Sequence, residues 1–366
     1  MHIALVILTL GPGGAERVLS QLANSWQKEG HHITLITLEH PSQKPFYSLN
    51  PNIHLIQLNP MPIKPTSWFD SLKNNITRLL ALRRTLKKEK PDLILSFIDQ
   101  INVLTLLLTR GLRIPVIVSE RIDPAFQSLS RIYKILRRLT YPWASQIVVQ
   151  TQSAANYFSK KLQQKISIIP NPVFAPKKSL TYGKIKQIVS VGRLAPQKDY
   201  PTLLKAFKVL TLKYPFLKLT IYGEGKERSP LERYIQTLDL NDSVHLPGTL
   251  SNIEQALLKA DLFVFPSKFE GFPNALCEAM SLGLPVVASN CSGNRDIVQN
   301  GENGLLFPVG DYRALIHQIE TFLLHPTEAQ RIGKYATRIA QTYSEQKILG
   351  LWKTLITKVL SHPLRK

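Results

Sequence analysis

Short apolar runs recur along this chain, each followed by a turn and then by a segment with helical spacing. That alternation restricts the fold more than any other feature. Ile3–Leu10 opens the series, and it continues through Ile33–Leu38, Ile53–Leu58, Leu93–Phe97, Pro115–Ser119, Ile147–Val149 and Ile166–Ile169. Strands apolar on both faces must be covered on both faces, as in a parallel sheet between helix layers. The series restarts after Phe174–Gly183, a polar stretch broken by Pro and Gly, with Gln187–Val191, Lys218–Gly223, Val244–Leu246, Leu262–Pro266, Pro285–Ala288 and a strand ending at Phe307. Helical spacing covers Ala15–Lys28, Trp68–Lys90, Ser128–Leu139, Tyr200–Leu212, Pro230–Leu238, Asn252–Leu258, Tyr312–Leu324, Glu328–Gln341 and Ser344–Leu360. At 366 residues the chain suits two cores rather than one. The expectation is α/β: two doubly wound, Rossmann-like parallel sheets, residues 1–173 and 184–343, facing across a cleft. The last segment, 344–366, reads as a helix able to pack back on the first domain.

Charge is distributed unevenly. The formal net charge is +21, and residues 1–180 hold 23 Lys and Arg against 9 Asp and Glu. Two helices carry much of it: Arg83, Arg84, Lys87 and Lys88 on the first, Arg131, Lys134, Arg137 and Arg138 on the second. On the second, Leu129, Ile132, Leu136 and Leu139 make an apolar stripe. Such a field favours nucleic acid or an anionic membrane surface. The basic helices lack interleaved aromatics and a recognisable motif, which speaks against nucleic acid. Two cysteines, Cys277 and Cys291, make no disulfide framework and fit a reducing compartment. The apolar N-terminus lacks the basic flank and cleavage site of a signal peptide, so a buried first strand explains it better. The longest apolar run, Ile101–Thr109, is too short to span a bilayer.

Several strands end in residues suited to an anionic, hydroxyl-rich ligand. Gly11-Pro12-Gly13-Gly14 follows the first, though it is neither a dinucleotide fingerprint nor a P-loop. Asp99 sits at the end of the fourth, and Ser119-Glu120-Arg121 at the end of the fifth. In the second half, Gly192-Arg193 with Lys198, then Gly223-Glu224-Gly225, follow consecutive strands. An Arg grips a diphosphate with two N–H groups and a Lys adds a point charge. After Leu262–Pro266 comes E-G-F-P-N-A-L-C-E-A-M, residues 270–280, with Glu270 on a loop and Glu278 on the helix behind it. Backbone N–H groups at a helix start meet phosphate, and carboxylates accept from sugar hydroxyls. Adjacent His31 and His32 point to opposite faces of an extended segment. No Asp-x-Asp pair or His/Cys cluster is present, so no metal or other cofactor is expected.

These motifs resemble the retaining GT-B glycosyltransferases of family 4 over nearly the whole chain. The carriers are G-P-G-G-A-E-R at 11–17, P-N-P-V at 170–173, V-G-R-L-x-x-x-K at 191–198, G-E-G at 223–225 and the 270–280 stretch. S-F-I-D-Q-I-N at 96–102 and S-E-R-I-D-P at 119–124 look like bacterial members that build polyprenyl-diphosphate-linked oligosaccharides, N-acetylgalactosaminyltransferases among them. The resemblance implies a UDP-sugar donor, a polyprenyl-diphosphate-linked acceptor, and a peripheral position on the inner face of the cytoplasmic membrane. It implies that Arg193 and Lys198 hold the donor diphosphate and stabilise the leaving group. Glu270 would contact the transferred sugar and Glu278 the ribose. The amides of Gly271, Phe272, Pro273, Asn274, Ala275 and Leu276 would assist, with Gly192, Gly223 and Gly225 nearby and Gly13 and Gly14 opposite. Glu270, Arg193 and Lys198 would be the catalytic residues, in a front-face reaction in which the departing phosphate takes the acceptor proton. A covalent route through Glu270 is the minor alternative. Asp99, Glu120 and Arg121 would meet the acceptor; many relatives carry His where this chain has Arg121, and an Arg cannot act as a base at neutral pH. Two other classes remain open on sequence: a sugar-nucleotide epimerase of the same architecture, and a basic nucleic-acid-binding protein.

Overall fold

The computed structural model describes residues 1–58, 68–126, 130–176, 180, 182–250 and 252–361; in the helix Trp68–Glu89, residues 68–76 and 78 are described by backbone alone. Residues 59–67, Ser128 and Leu129, and part of the 174–183 stretch lie outside these residues.

The chain folds into two compact units, one of residues 1–170 with 348–366, the other of 171–347. The first is built on seven strands: β1 (His2–Ile7), β2 (His32–Thr37), β3 (His54–Gln57), β4 (Leu93–Phe97), β5 (Val116–Ser119), β6 (Gln146–Val149) and β7 (Ile166–Ile168). They lie in the order β3-β2-β1-β4-β5-β6-β7, and every pairing is parallel. The second unit has six: β8 (Gln187–Val191), β9 (Lys218–Tyr222), β10 (Val244–Gly248), β11 (Leu262–Phe265), β12 (Val286–Ser289) and β13 (Leu305–Phe307). Their order is β10-β9-β8-β11-β12-β13, again all parallel. Burial explains the strand composition: β4, β5, β11 and β12 are buried at every residue.

Each sheet therefore reverses its winding once, between β1 and β4 and between β8 and β11. At such a point the loops leaving the two strands diverge and open a crevice at their carboxyl ends, where ligands of open α/β sheets bind. The Gly11–Gly14 and Ile98–Asp99 turns flank the first switch point. The Gly192–Lys198 and Pro266–Pro273 loops flank the second.

Two boundaries differ from expectation. The division falls after Pro170, not after residue 173, because Asn171 and Val173 are bonded to the second unit: Asn171 Nδ2 donates to Asn274 Oδ1 at 2.8 Å and Val173 N to Tyr343 O at 2.8 Å. The helical segment expected over 328–341 is two helices, Pro326–Ala336 and Ile339–Thr342. The final helix, Glu345–Ser361, joins the first unit from Ile348 onward, with the buried Trp352 ring edge-on to Trp26 at 6.0 Å. No helix among the described residues is long and apolar enough to cross a membrane.

Candidate active site

The loops at the second switch point are laced together by backbone hydrogen bonds. Gly192 N donates to Tyr222 O (2.9 Å), Leu194 N to Glu224 O (2.9 Å) and Gly223 N to Gly248 O (2.9 Å), which joins the turns after β8, β9 and β10. A Cβ at Gly223 or Gly225 would run into the backbone of Gly192 or Leu194, and Gly223 has φ of 148°. The close approach these glycines permit is thus loop to loop, which holds the Gly192-Arg193-Leu194 turn in place.

Lys198 follows in a short 3-10 turn, Pro196–Lys198. Gln197 ties that turn to the loop after β11: its Nε2 donates to Phe269 O at 2.8 Å, and its carbonyl accepts from Lys268 N at 2.8 Å. Two side chains 72 positions apart meet as a result. Lys198 Nζ donates to Glu270 Oε1 at 2.6 Å, with the ammonium also 4.4 Å from the centre of the Phe265 ring. Glu270 is 7 % exposed, whereas Arg193, on the same loop as Lys198, projects into solvent.

Behind Glu270, Gly271, Phe272 and Pro273 are buried, and Phe272 packs edge-on to Tyr343 at 5.5 Å. Helix Asn274–Leu282 then starts. Asn274, Ala275 and Glu278 are its half-exposed positions, and an i, i+4 relation puts Asn274 and Glu278 on one face. Leu276 faces the core. Sequence reasoning passed over one participant, Gly293: a Cβ there would stand 2.6 Å from the Glu270 carbonyl oxygen and 2.8 Å from its Cβ. The signal was a glycine just past the strand beside β11, a spacing that only the strand order makes meaningful. Among the described residues no group of three or more His, Cys, Asp or Glu is placed to hold a metal.

In the first unit, Gly13 caps helix Gly14–Lys28, and a side chain on it would collide with the Glu16 carboxylate. Asp99, Glu120 and Arg121 all lie at the carboxyl edge of the sheet but turn inward, at 2 %, 1 % and 9 % exposed. All three side chains are packed among neighbouring residues of the first unit. The Glu120 carboxyl accepts from Tyr141 Oη and lies 3.9 Å from Arg137 Nη1. Burial pushes it up to about 7; Arg137 and the Tyr141 bond oppose that, and Asp99 adds to it. The Arg121 guanidinium lies over the Phe97 ring at 3.8 Å and 5.9 Å from that of Trp352, and burial pulls it down to about 9, so it stays charged at neutral pH.

Arg137 departs from expectation. It was expected on the outer basic face, but it is buried, because its guanidinium serves Glu120 and donates to Tyr157 Oη at 2.6 Å. Helix Arg131–Thr140 consequently turns Ile132, Ile135 and Leu139 outward, together with Arg131, Lys134 and Arg138. On helix Trp68–Glu89, Arg84, Lys87 and Lys88 are exposed, while Arg83 donates to the carbonyls of Leu108 and Arg110 (3.0 Å to the latter) at the end of helix Asp99–Thr109.

Comparison with known proteins agrees with this geometry. Residues 12–174 match the model of Glycosyltransferase Family 4, and 174–339 that of Glycosyl transferases group 1. A Campylobacter jejuni relative, GalNAc-alpha-(1->4)-GalNAc-alpha-(1->3)-diNAcBac-PP-undecaprenol alpha-1,4-N-acetyl-D-galactosaminyltransferase, is 28% identical over 98% of this chain and 99% of its own. The Escherichia coli UDP-Gal:alpha-D-GlcNAc-diphosphoundecaprenol alpha-1,3-galactosyltransferase is 30% identical over 68% of this chain and 70% of its own. The sucrose-phosphate synthase of Thermosynechococcus elongatus shares the fold, with a TM-score of 0.86 at 20% identity over 98% of this chain and 99% of its own. Two parallel-sheet units, a cation–carboxylate pair at the second switch point and matches that together run from residue 12 to 339 lead to one statement: the chain belongs to the family 4 glycosyltransferases, of the GT-B fold.

Proposed function

We propose that the protein transfers a hexose or N-acetylhexosamine, with retention of configuration, from a UDP-sugar to a polyprenyl-diphosphate-linked saccharide in glycan, O-antigen or capsule assembly. The observation that carries this reading is the Lys198–Glu270 pair, 2.6 Å apart at the switch point of the second sheet. Lys198 and the exposed Arg193 are placed to neutralise a departing nucleoside diphosphate, the part of the reaction where charge grows most. Glu270 accepts from hydroxyls of the transferred sugar and Glu278 from the ribose. The amides of Gly271 to Leu276 add to the phosphate field at the helix start. Gly192, Gly223 and Gly225 shape that loop set, and Gly13 and Gly14 of the first unit also belong to the proposed donor-binding residues. The departing phosphate takes the acceptor proton, so no metal or other cofactor is required. Names of the two sequence relatives support the donor and acceptor classes.

The acceptor class also accounts for the outer face of helix Arg131–Thr140. Exposed Ile132, Ile135 and Leu139 beside Arg131, Lys134 and Arg138 suit the headgroup boundary of an anionic membrane, and Arg84, Lys87 and Lys88 add charge. The proposed location is peripheral, on the inner face of the cytoplasmic membrane, with no nucleic-acid partner. The test is a screen of UDP-, GDP- and dTDP-sugars against polyprenyl-diphosphate acceptors, with and without chelator, read by mass spectrometry. The expected result is one UDP-sugar giving a lipid product heavier by one residue. A product with no lipid, or an epimerised nucleotide sugar alone, refutes the reading.

A further inference from the structure

A buried polar network in the first unit ties the turn after β4 to the loop after β5. Ser119 O accepts from Ile98 N at 3.1 Å and from Asn102 Nδ2 at 3.0 Å. Asn102 Nδ2 also lies 3.3 Å from Tyr141 Oη, which donates to Glu120. Asn102 N donates to Ile98 O at 2.8 Å, closing the circuit. Glu120, Asn102 and Tyr141 are all buried, and the cluster draws on two strand ends, helix Asp99–Thr109, helix Arg131–Thr140 and the 3-10 turn Tyr141–Trp143.

Ile98 shows what this network holds. Its φ is 74° and its ψ 133°, a conformation that a β-branched residue adopts only under constraint from its surroundings. Ile98 immediately precedes Asp99, at the first switch point, and Glu120 immediately precedes Arg121. The Glu120 carboxyl is 1 % exposed and stands at the centre of the bonds that set both turns.

We propose that Glu120 is a positioning residue for the acceptor: through Tyr141, Asn102 and Ser119 it holds the strained Ile98–Asp99 turn and the Ser119–Asp123 loop in the arrangement that admits the acceptor diphosphate. This rests on the acceptor class assigned under Proposed function. The groups facing the carboxyl are Arg137 and Tyr141 from the helix and its terminal turn and Asp99 from the neighbouring helix, with Arg121 next in the chain. Arg137 and Tyr141 favour the ionised carboxyl, so their bonds to it strengthen as it loses its proton, while the larger cost of burying the charge lowers global stability over the same range.

The test compares wild type, Glu120→Gln and Tyr141→Phe in the full chain. Gln keeps an oxygen for Tyr141 but cannot ionise. Hydrogen exchange without substrates comes first: Glu120→Gln is expected to speed exchange at 98–102 and 119–123 about tenfold, with the β8–β11 amides unchanged. Kinetics follow. In wild type, kcat/KM for the polyprenyl-diphosphate acceptor should rise with pH and level off above about 7. In Glu120→Gln the profile should be flat, with acceptor KM raised about tenfold and donor KM within twofold. Tyr141→Phe should raise acceptor KM similarly, and the double variant should lose little more. Unchanged exchange, a bend retained in Glu120→Gln, or donor and acceptor KM rising together would each overturn the proposal. If wild type transfers nothing to the lipid acceptor, the functional reading fails, and the exchange result alone still decides whether Glu120 holds the two turns.

Discussion

Lys198 Nζ and Glu270 Oε1 stand 2.6 Å apart although 72 residues separate them, joined by the loops leaving β8 and β11. Both side chains are largely buried, at 15 % and 8 % exposed, so each is the other's main counter-charge. Lys198→Ala should therefore act twice. Loss of a positioned cation should lower kcat by about 10² to 10³, the range for removing one transition-state donor. It should also destabilise the second unit by about 3–5 kcal/mol, because Glu270 is left buried and unpaired. Pairing it with Glu270→Gln should restore the melting temperature without restoring transfer. Glu278→Ala, on a half-exposed helix face, should abolish most transfer with no loss of melting temperature. Full activity in either alanine variant refutes the assignment.

Gly293 tests the same carboxylate from behind. A methyl group there meets the Glu270 backbone at 2.6 Å and its Cβ at 2.8 Å, so the loop must shift by several tenths of an ångström. Misplacement on the scale of 1 Å at a reacting centre costs up to about 10²-fold. Gly293→Ala should lower kcat/KM for the donor about tenfold or more while circular dichroism stays unchanged. A wild-type donor kcat/KM in this variant would show that Glu270 does not need its present height.

Much of this was legible in the sequence, because it depends on local patterns. Apolar runs buried on both faces announce parallel strands, and the G-R-x-x-x-x-K and E-x7-E stretches lie where strands end. What escaped depends on long-range pairing. On helix Arg131–Thr140 the wheel shows an apolar stripe and a basic one, and the ordinary rule puts the apolar stripe inward. Arg137 goes inward instead because Glu120, at the end of a fully buried strand, needs a cation and a donor. The positive φ of Ile98 and the role of Gly293 likewise follow from neighbours that sit beside them only once the strand order is fixed.

Trp352 measures how firmly the last helix joins the first unit. It is 1 % exposed and packs edge-on to Trp26. Trp352→Ala should cost about 3–5 kcal/mol in urea unfolding, the range for a large buried aromatic. The loss should appear in the first unit, by exchange at β1 and β2. A loss confined to the second unit would contradict the assignment of residues from 348 onward.

Acid should destabilise the protein through its amino-terminal sheet edge. The His2 and His32 rings lie 4.2 Å apart, tilted by 30°, and His2 Nε2 lies 2.9 Å from Thr34 Oγ1. Burial, then His32, lowers the His2 pKa below its usual 6.5, and burial does the same to His31. The unfolded chain then binds protons that the folded one refuses. Stability from these groups is complete above about 6.5 and is lost as pH falls below it. Glu120 has the opposite sign: its raised pKa gives stability that is full below the unfolded value and lost as pH rises to about 7. His2→Gln should therefore flatten the fall in urea midpoint between pH 7 and pH 5.5, and Glu120→Gln should flatten the fall between pH 5 and pH 7. A His2→Gln curve parallel to wild type would remove His2 from the account.

The outward face of helix Arg131–Thr140 makes the sharpest prediction about location. Arg131, Lys134 and Arg138 flank Ile132 and Ile135, which are 69 % and 60 % exposed. Each well-placed basic residue contributes about 1 kcal/mol at an anionic surface. Removing three should weaken vesicle binding by roughly 3 kcal/mol, about a hundredfold, and reversing them should weaken it further. Ile135→Asp removes an apolar anchor and adds a repelled charge, so it should release the protein even where the basic residues remain. Because Arg137 faces inward, Arg137→Glu should instead unsettle Glu120 and lower the melting temperature. Cosedimentation with phosphatidylserine vesicles at two salt concentrations separates the cases. Charge reversal should cut the salt dependence to what Arg84, Lys87 and Lys88 contribute, Ile135→Asp should leave only a weak salt-sensitive residue of binding, and neither should alter thermal unfolding. Sedimentation of the Arg131, Lys134 and Arg138 reversal equal to wild type would refute docking through this face.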